Sequence, residues 1–326
     1  MGGINKLNII PTFCCNQACK ICRQDIQRSW LVKRYVANNQ ILLDLCNEIP
    51  QGIEVHLTGG EVTLSPQFTC IVKKLSKRSI HFGLVTNGVL LDNFIDLLVI
   101  YPPNYIVVSI DTLEPEMYAY IRGGKPEQLS RALQAVLNLR KNRRGEHPHL
   151  RANFTVQPDN IKCLLRVAQK YRKLGFDSLS VSHLQWCAIT SDNNILDISS
   201  NGSQYALLNS SNIKFDSLHK VLSRLSREIV QHPYMEPQKL RHFYSSLAPL
   251  LHPVCRWPWE GRYVLPNGEV LICSDLSVGD LGHDSIVEIL KPNSKSINNM
   301  LSREQSPSRC HTCCHRMLEF DHGGNQ

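Results

Sequence analysis

KLNIIPTFCCNQACKIC, residues 6–22, is the stretch on which the reading of this chain turns. It opens on a run rich in Ile, Leu and Phe, Lys6 to Phe13, of the kind that forms a buried strand. It then passes directly into a loop carrying Cys14, Cys15, Cys19 and Cys22. Clustered thiols immediately after a first strand put metal-binding groups at that strand's carboxyl end.

The strand is the first of a series. Further β-like runs rich in Val, Ile, Leu, Phe and Thr fall at Ile53–Thr58, His81–Thr86, Tyr105–Ile110, Leu150–Val156 and Ser178–Leu184. Between them apolar residues recur at helical spacing, as in Phe68, Ile71, Val72, Leu75 and again in Ile161, Leu164, Leu165, Ala168. Strand–helix alternation of this kind predicts an α/β fold of parallel strands joined by right-handed crossovers. Six such units make a partial (β/α)6 TIM barrel rather than a closed eight-fold one. In such folds chemistry sits at the carboxyl ends of the strands, where the cysteine loop falls.

The barrel is expected over residues 1–189. From Thr190 to Leu251 the texture changes: Ser191–Ser211 is rich in Ser, Asn and Asp and reads as a loop, and Asp216–Val230 as a helix, so 190–251 is expected to be a linker. Residues 252–320 form a third region with Pro and Gly turns. There Arg262–Leu265, Pro266-Asn267-Gly268 and Glu269–Ile272 read as strand, turn, strand. The tail 321–326 is expected to be disordered. No internal repeat or low-complexity tract is evident.

Composition narrows the class. The chain is 42% apolar and 20% charged, as globular proteins are, with no apolar run near the roughly 18 residues of a membrane span. The start is short and polar, without the pattern of a secretory signal, which points to the cytoplasm. Net charge is +8 but spread thinly. Its densest patch, Arg140-Lys141-Asn142-Arg143-Arg144, reads as a solvated helix end, so nucleic acid is not the expected partner. Thirteen cysteines, an odd number and tightly clustered, argue for metal ligation in a reducing compartment over disulfides.

Cys15, Cys19 and Cys22 have C-x3-C-x2-C spacing. Three thiolates on one loop can hold three irons of a cubane cluster and leave the fourth open. A zinc loop is the rival, though zinc asks for a fourth ligand nearby. Cys14 offers a lower-ranked C-x4-C register.

Here the chain resembles the radical SAM superfamily, whose hallmark is this cysteine loop in a partial (β/α)6 barrel. The supporting motifs follow in order. Thr58-Gly59-Gly60-Glu61 resembles the family's Gly-Gly-Glu motif, although Val62 stands where a Pro is usual and Ile21 where an aromatic residue usually precedes the third cysteine. Thr86-Asn87-Gly88 looks like its Thr-Asn-Gly turn. Ser109-Ile110-Asp111 and Arg122-Gly123-Gly124 follow. The resemblance covers about residues 6–185. It implies a 4Fe–4S cluster whose open iron chelates S-adenosylmethionine (SAM) and whose electron cleaves SAM to a 5′-deoxyadenosyl radical. It further implies SAM contacts from Gly59, Gly60, Glu61, Thr86, Asn87, Ser109, Arg122 and, more weakly, Asn153. An electron donor such as a flavodoxin or ferredoxin is implied as a partner.

A second set, Cys255, Cys273, Cys310 and Cys313, flanks the predicted hairpin and a tight loop, a pattern able to make a four-thiolate site. It resembles the auxiliary-cluster domains of the same family, called SPASM with two clusters and twitch with one. Only Cys314 follows Cys313, so one auxiliary 4Fe–4S cluster in a twitch-like domain is expected, two clusters in all. Structural zinc is the rival, and Cys314 and His315 are alternate ligands. Trp257 and Trp259 would shield the site. The expected reaction is hydrogen abstraction from a small metabolite or a peptide with net oxidation. Cys187, near His183 and Trp186 at the end of the sixth strand, is a candidate hydrogen donor, which would make the enzyme an epimerase. A nucleotide-modifying enzyme and a non-catalytic iron–sulfur carrier are the remaining alternatives.

Overall fold

The computed structural model describes residues 4–22, 32–33, 35–157, 159–183, 230–231, 260–272 and 277–291. Six strands follow one another in the sheet in chain order: β1 (Lys6–Ile9), β2 (Glu54–Leu57), β3 (Phe82–Thr86), β4 (Tyr105–Ser109), β5 (His149–Val156) and β6 (Ser178–His183). Each pairs in parallel with the next. The helices between them are α1 (Asn39–Glu48), α2 (Phe68–Lys77), α3 (Ile95–Ile100), α4 (Pro115–Arg122), α5 (Glu127–Asn142) and α6 (Leu164–Lys170). Strands laid down in sequence with crossovers of one hand put every helix on the same face. The other, inner face is left free of these helices, and the described strands do not close into a barrel.

The sequence builds the two faces by alternation, because successive strand side chains point to opposite sides. In β5, Leu150, Ala152, Phe154 and Val156 are buried against the helices, while His149, Arg151, Asn153 and Thr155 line the inner face. Phe68, Ile71, Val72 and Leu75 bury one stripe of α2 on the same core. Truncating a buried ring such as Phe154 to Ala would cost about 3–5 kcal/mol. The apolar core therefore lies outside the sheet, and the inner face carries the polar groups. In a closed barrel that interior would instead be filled by branched aliphatic side chains.

The third region builds onto the same sheet. Strand β8 (Gly261–Val264) runs parallel to β1, with Lys6 opposite Gly261 and Ile9 opposite Val264. The antiparallel β9 (Glu269–Leu271) and β10 (Ser277–Asp280) continue the sheet, followed by the short helix α7 (Ile286–Ile289). The expected hairpin is thus present, and Gly268 turns it at φ +99. β1 becomes an interior strand, and Leu265 and Leu271 pack with Ile10 and Phe13 at the entry to the cysteine loop. In the segment read as a linker, β7 (Val230–Gln231) adds a two-residue parallel strand beside β6. Two residues carry too little pattern to be seen in sequence. No helix among the described residues is long and apolar enough to cross a membrane.

Candidate functional site

The cysteine loop leaves β1 at the carboxyl end of the sheet, and the turns after β2 and β3 close on it. Gly59, at φ +129, would place a Cβ 2.8 Å from the carbonyl oxygen of Thr12. A Cβ on Gly60 would stand 2.2 Å from that of Cys14. The room is taken at Gly59 by the Ile10 side chain and Thr12 O, and at Gly60 by the loop's main chain alone, which binds back: Gly60 N–H donates to Thr12 O at 3.0 Å and Glu61 N–H to Cys14 O at 2.7 Å. The Gly-Gly pair therefore seats the cysteine loop on β2.

Glu61 knots the next turn to this one. Its side chain is buried, 1% exposed. Oε1 accepts from the hydroxyls of Thr63 and Thr86, both at 2.6 Å, and Oε2 accepts from Asn87 N–H at 2.7 Å. The turn so fixed aims the Asn87 amide at the loop: Nδ2 donates to Asn16 Oδ1 at 2.6 Å and lies 4.0 Å from Cys15 Sγ. Gly88, at φ +80, completes the turn, its N–H bound to Thr86 Oγ1.

Ser109 ends β4 opposite Asn153 of β5. Asn153 Oδ1 accepts from Ser180 at 2.8 Å and from Ser182 at 2.7 Å, and its Nδ2 donates to Thr155 Oγ1 at 3.3 Å. At this level the inner wall of β4–β6 is uncharged and rich in hydroxyl and amide groups. Nearer the amino ends of the strands, Tyr105 Oη bonds His56 Nδ1 at 2.5 Å and Glu54 at 3.3 Å. Burial holds the His56 imidazole below its ordinary range, against the pull of Glu54.

Arg122 stands behind the loop, 8% exposed, with Nη1 on Asp111 Oδ2 at 2.9 Å and Nε on Gln17 Oε1 at 3.2 Å. Gln17 and Tyr118 are site residues that the motifs did not flag. Asp111 was legible only as part of the Ser-Ile-Asp turn, and nothing in sequence marks a spacer glutamine as buried.

The three cysteines fit an iron–sulfur cluster as a donor set. All are half-buried thiols on one loop. Cys22 N–H turns back onto Cys19 O at 2.9 Å. Burial pushes the Cys19 thiol up to about 11, and Arg122 pulls the other way. Among the described residues no group of three or more His, Cys, Asp and Glu is arranged to hold a metal ion. A cubane spreads its cysteine ligands over several irons and asks for a looser set than a single ion does. Cys14 is exposed, and its carbonyl is held by Glu61. Cys187, Trp186, Cys255, Trp257, Trp259, Cys273, Cys310, Cys313, Cys314 and His315 lie outside the described residues.

Two family models match the chain. Residues 9–149 match the family model of the Radical SAM superfamily, and residues 255–314 that of the SPASM iron–sulfur cluster-binding domain. The chain is 27% identical over 183 residues to a protein named Probable GTP 3′,8-cyclase from Methanococcus aeolicus, covering 53% of this chain and 57% of the relative. It is 30% identical over 131 residues to GTP 3′,8-cyclase of Microcystis aeruginosa, covering 38% and 40%. The chain thus matches about half the length of the first of these and less of the second. Among solved structures it is similar to Streptococcus suis SuiB, with TM-score 0.60 at 13% identity, covering 97% of this chain and 72% of that one. It is also similar to anSMEcpe with bound AdoMet, with TM-score 0.57 at 18% identity, covering 96% and 87%. At such identities these structures speak for the fold.

Proposed function

The chain is a radical SAM enzyme with a C-terminal SPASM-type iron–sulfur domain, and we propose that it oxidises a small metabolite or a peptide by abstracting a hydrogen atom. In this reading Cys15, Cys19 and Cys22 hold a 4Fe–4S cluster, and Cys255, Cys273, Cys310 and Cys313 hold a second one. Bound at the first site, the reduced cluster and SAM supply a 5′-deoxyadenosyl radical.

One observation carries the reading: the cysteine loop is pinned by Gly60, Glu61 and Asn87 at the carboxyl ends of β1–β3. The chain's residues then have separate tasks. The glycine turn seats the loop, and Glu61 holds the Asn87 amide beside it. The polar wall of Ser109, Asn153, Thr155, Ser180 and Ser182 offers hydrogen bonds to neutral polar groups of a ligand bound on the inner face. The C-terminal cysteines favour an oxidative outcome, because a second cluster is a natural acceptor of an electron.

The test is anaerobic reconstitution with iron and sulfide, then dithionite and SAM. The full chain should take up about eight irons, as two cubanes require. It should release 5′-deoxyadenosine, and Cys15→Ala should release none above background. Absence of 5′-deoxyadenosine from the loaded wild type would contradict the proposal.

A second reading is an enzyme acting on a nucleotide, favoured by the name of the curated relatives over the barrel region. Saturable GTP binding by the reconstituted protein would support it, and no binding at millimolar GTP would remove it.

A further inference from the structure

The far side of the cysteine loop is buried against the elbow between α4 and α5, and Gln17 is at its centre. Gln17 belongs to the spacer between Cys15 and Cys19 and is 3% exposed. Its Nε2 donates to Tyr118 Oη at 2.8 Å. Its Oε1 accepts from Arg122 Nε at 3.2 Å, and the Cys19 sulfur stands 3.8 Å from the same oxygen. One amide oxygen therefore lies between the guanidinium and the thiol.

The elbow is shaped for this contact. Lys20 N–H donates to Ile121 O at 2.9 Å. Gly123 caps α4 at φ +60, where a Cβ would stand 2.0 Å from Ala18 O. Asp111, fully buried, holds Arg122 through Oδ2 and is itself held by Thr155 N–H at 2.8 Å on Oδ1. A buried ion pair is a weak contributor to stability, since desolvating both charges offsets their attraction. Its position against a ligand-bearing loop gives it another use.

We propose that Gln17 and Arg122 are positioning residues for Cys19: Gln17, tied to Tyr118 and Arg122, anchors the loop spacer that sets where Cys19 stands, and Arg122 stabilises negative charge on its sulfur. A cation that reaches the same amide oxygen as the sulfur favours the more negative of two states, and its partner Asp111 offsets only part of that effect. With a cluster bound, that is the reduced state, so Arg122 raises the cluster's midpoint potential. The inference rests on Cys19 being a cluster ligand.

The test is an EPR-monitored redox titration of the reconstituted full chain in the absence of SAM. Cys15→Ala supplies the spectrum of the auxiliary cluster for subtraction. Arg122→Met should titrate at a more negative potential than wild type, and Arg122→Lys should recover most of the difference. Gln17→Glu, nearly isosteric and able to pair with Arg122, should also shift the potential negative, which keeps the test open if Arg122→Met does not fold. Gln17→Leu should lose its SAM-site cluster to a chelator several-fold faster than wild type, with Tyr118→Phe in the same direction and smaller. Wild-type potentials in Arg122→Met and Gln17→Glu, with wild-type retention in Gln17→Leu, would overturn the proposal. An Arg122 that acted only by touching SAM would give that result. Retention of the SAM-site spectrum in Cys19→Ala would instead sink the ligand assignment, a separate failure.

Discussion

The two sides of the cysteine loop are held by different chemistry. Toward β2 and β3 the contacts are made by main chain and uncharged groups around one buried carboxylate: Gly59, Gly60, Asn87 and the acceptor Glu61. Toward the α4–α5 elbow they are made by a buried ion pair and the glutamine that bridges it to the loop. The first side fixes the loop's position on the sheet. The second adds a charge beside one thiol. The loop is thus seated by shape on one side and by an ion pair on the other, and the two contributions should be separable by mutation.

The sharpest way to break the comparison is to fill the glycines. Gly60→Ala puts a methyl 2.2 Å from one backbone carbonyl and 2.6 Å from another, neither of which can move without the loop. It should abolish cluster uptake at the first site, measured as iron per chain falling to that of the auxiliary cluster. Gly123→Ala makes the matching test from the other side, with a clash of 2.0 Å and a left-handed backbone that Ala adopts at a cost of about 1–2 kcal/mol. It should reduce cluster uptake severely while leaving the Asn87 turn intact.

Next in size is Glu61→Gln. An amide nitrogen in place of one oxygen meets donors and leaves them unsatisfied, so unfolding free energy should fall by roughly 1–3 kcal/mol in chemical denaturation. Smaller again are Ser180→Ala and Ser182→Ala, each removing one hydrogen bond to Asn153, worth about 1 kcal/mol. These should raise the KM for SAM or substrate and leave iron content unchanged. A loss of iron would show that the wall supports the loop.

The smallest effect belongs to the far end of the sheet, which serves as a control. Burial works to raise the Asp177 carboxyl, but Arg143, the Leu150 N–H and Arg140 outweigh it and bring it down to about 2. A carboxyl depressed on folding stabilises the protein above its unfolded pKa and loses that contribution as pH falls through the folded value. Wild-type stability should therefore decline between about pH 4 and about pH 2 more steeply than that of Asp177→Asn, followed by thermal unfolding across that range.

Much of this arrangement was legible before any coordinates. The alternation of Leu150, Ala152, Phe154 and Val156 with polar neighbours makes β5 readable, and the motifs fall at strand ends because a parallel sheet puts them there. The glycines read in sequence as SAM contacts, and in the structure what stands against them is the Ile10 side chain and the cysteine loop's own backbone. Gln17 was not legible: its partners Tyr118 and Arg122 lie 101 and 105 residues away, and no local pattern encodes a contact of that span. Nor was the joining of β8 to β1, since a hairpin's sequence specifies its turn and not the strand beside which it lies. The two-residue β7 exists only through its neighbour.

The central claim is that Cys15, Cys19 and Cys22 hold a cluster with an iron open to SAM. The EPR spectrum of the reduced, reconstituted protein before and after SAM addition tests it most directly. The account predicts that SAM changes the wild-type spectrum and has no effect on that of Cys19→Ala. An unchanged wild-type spectrum at saturating SAM would contradict it.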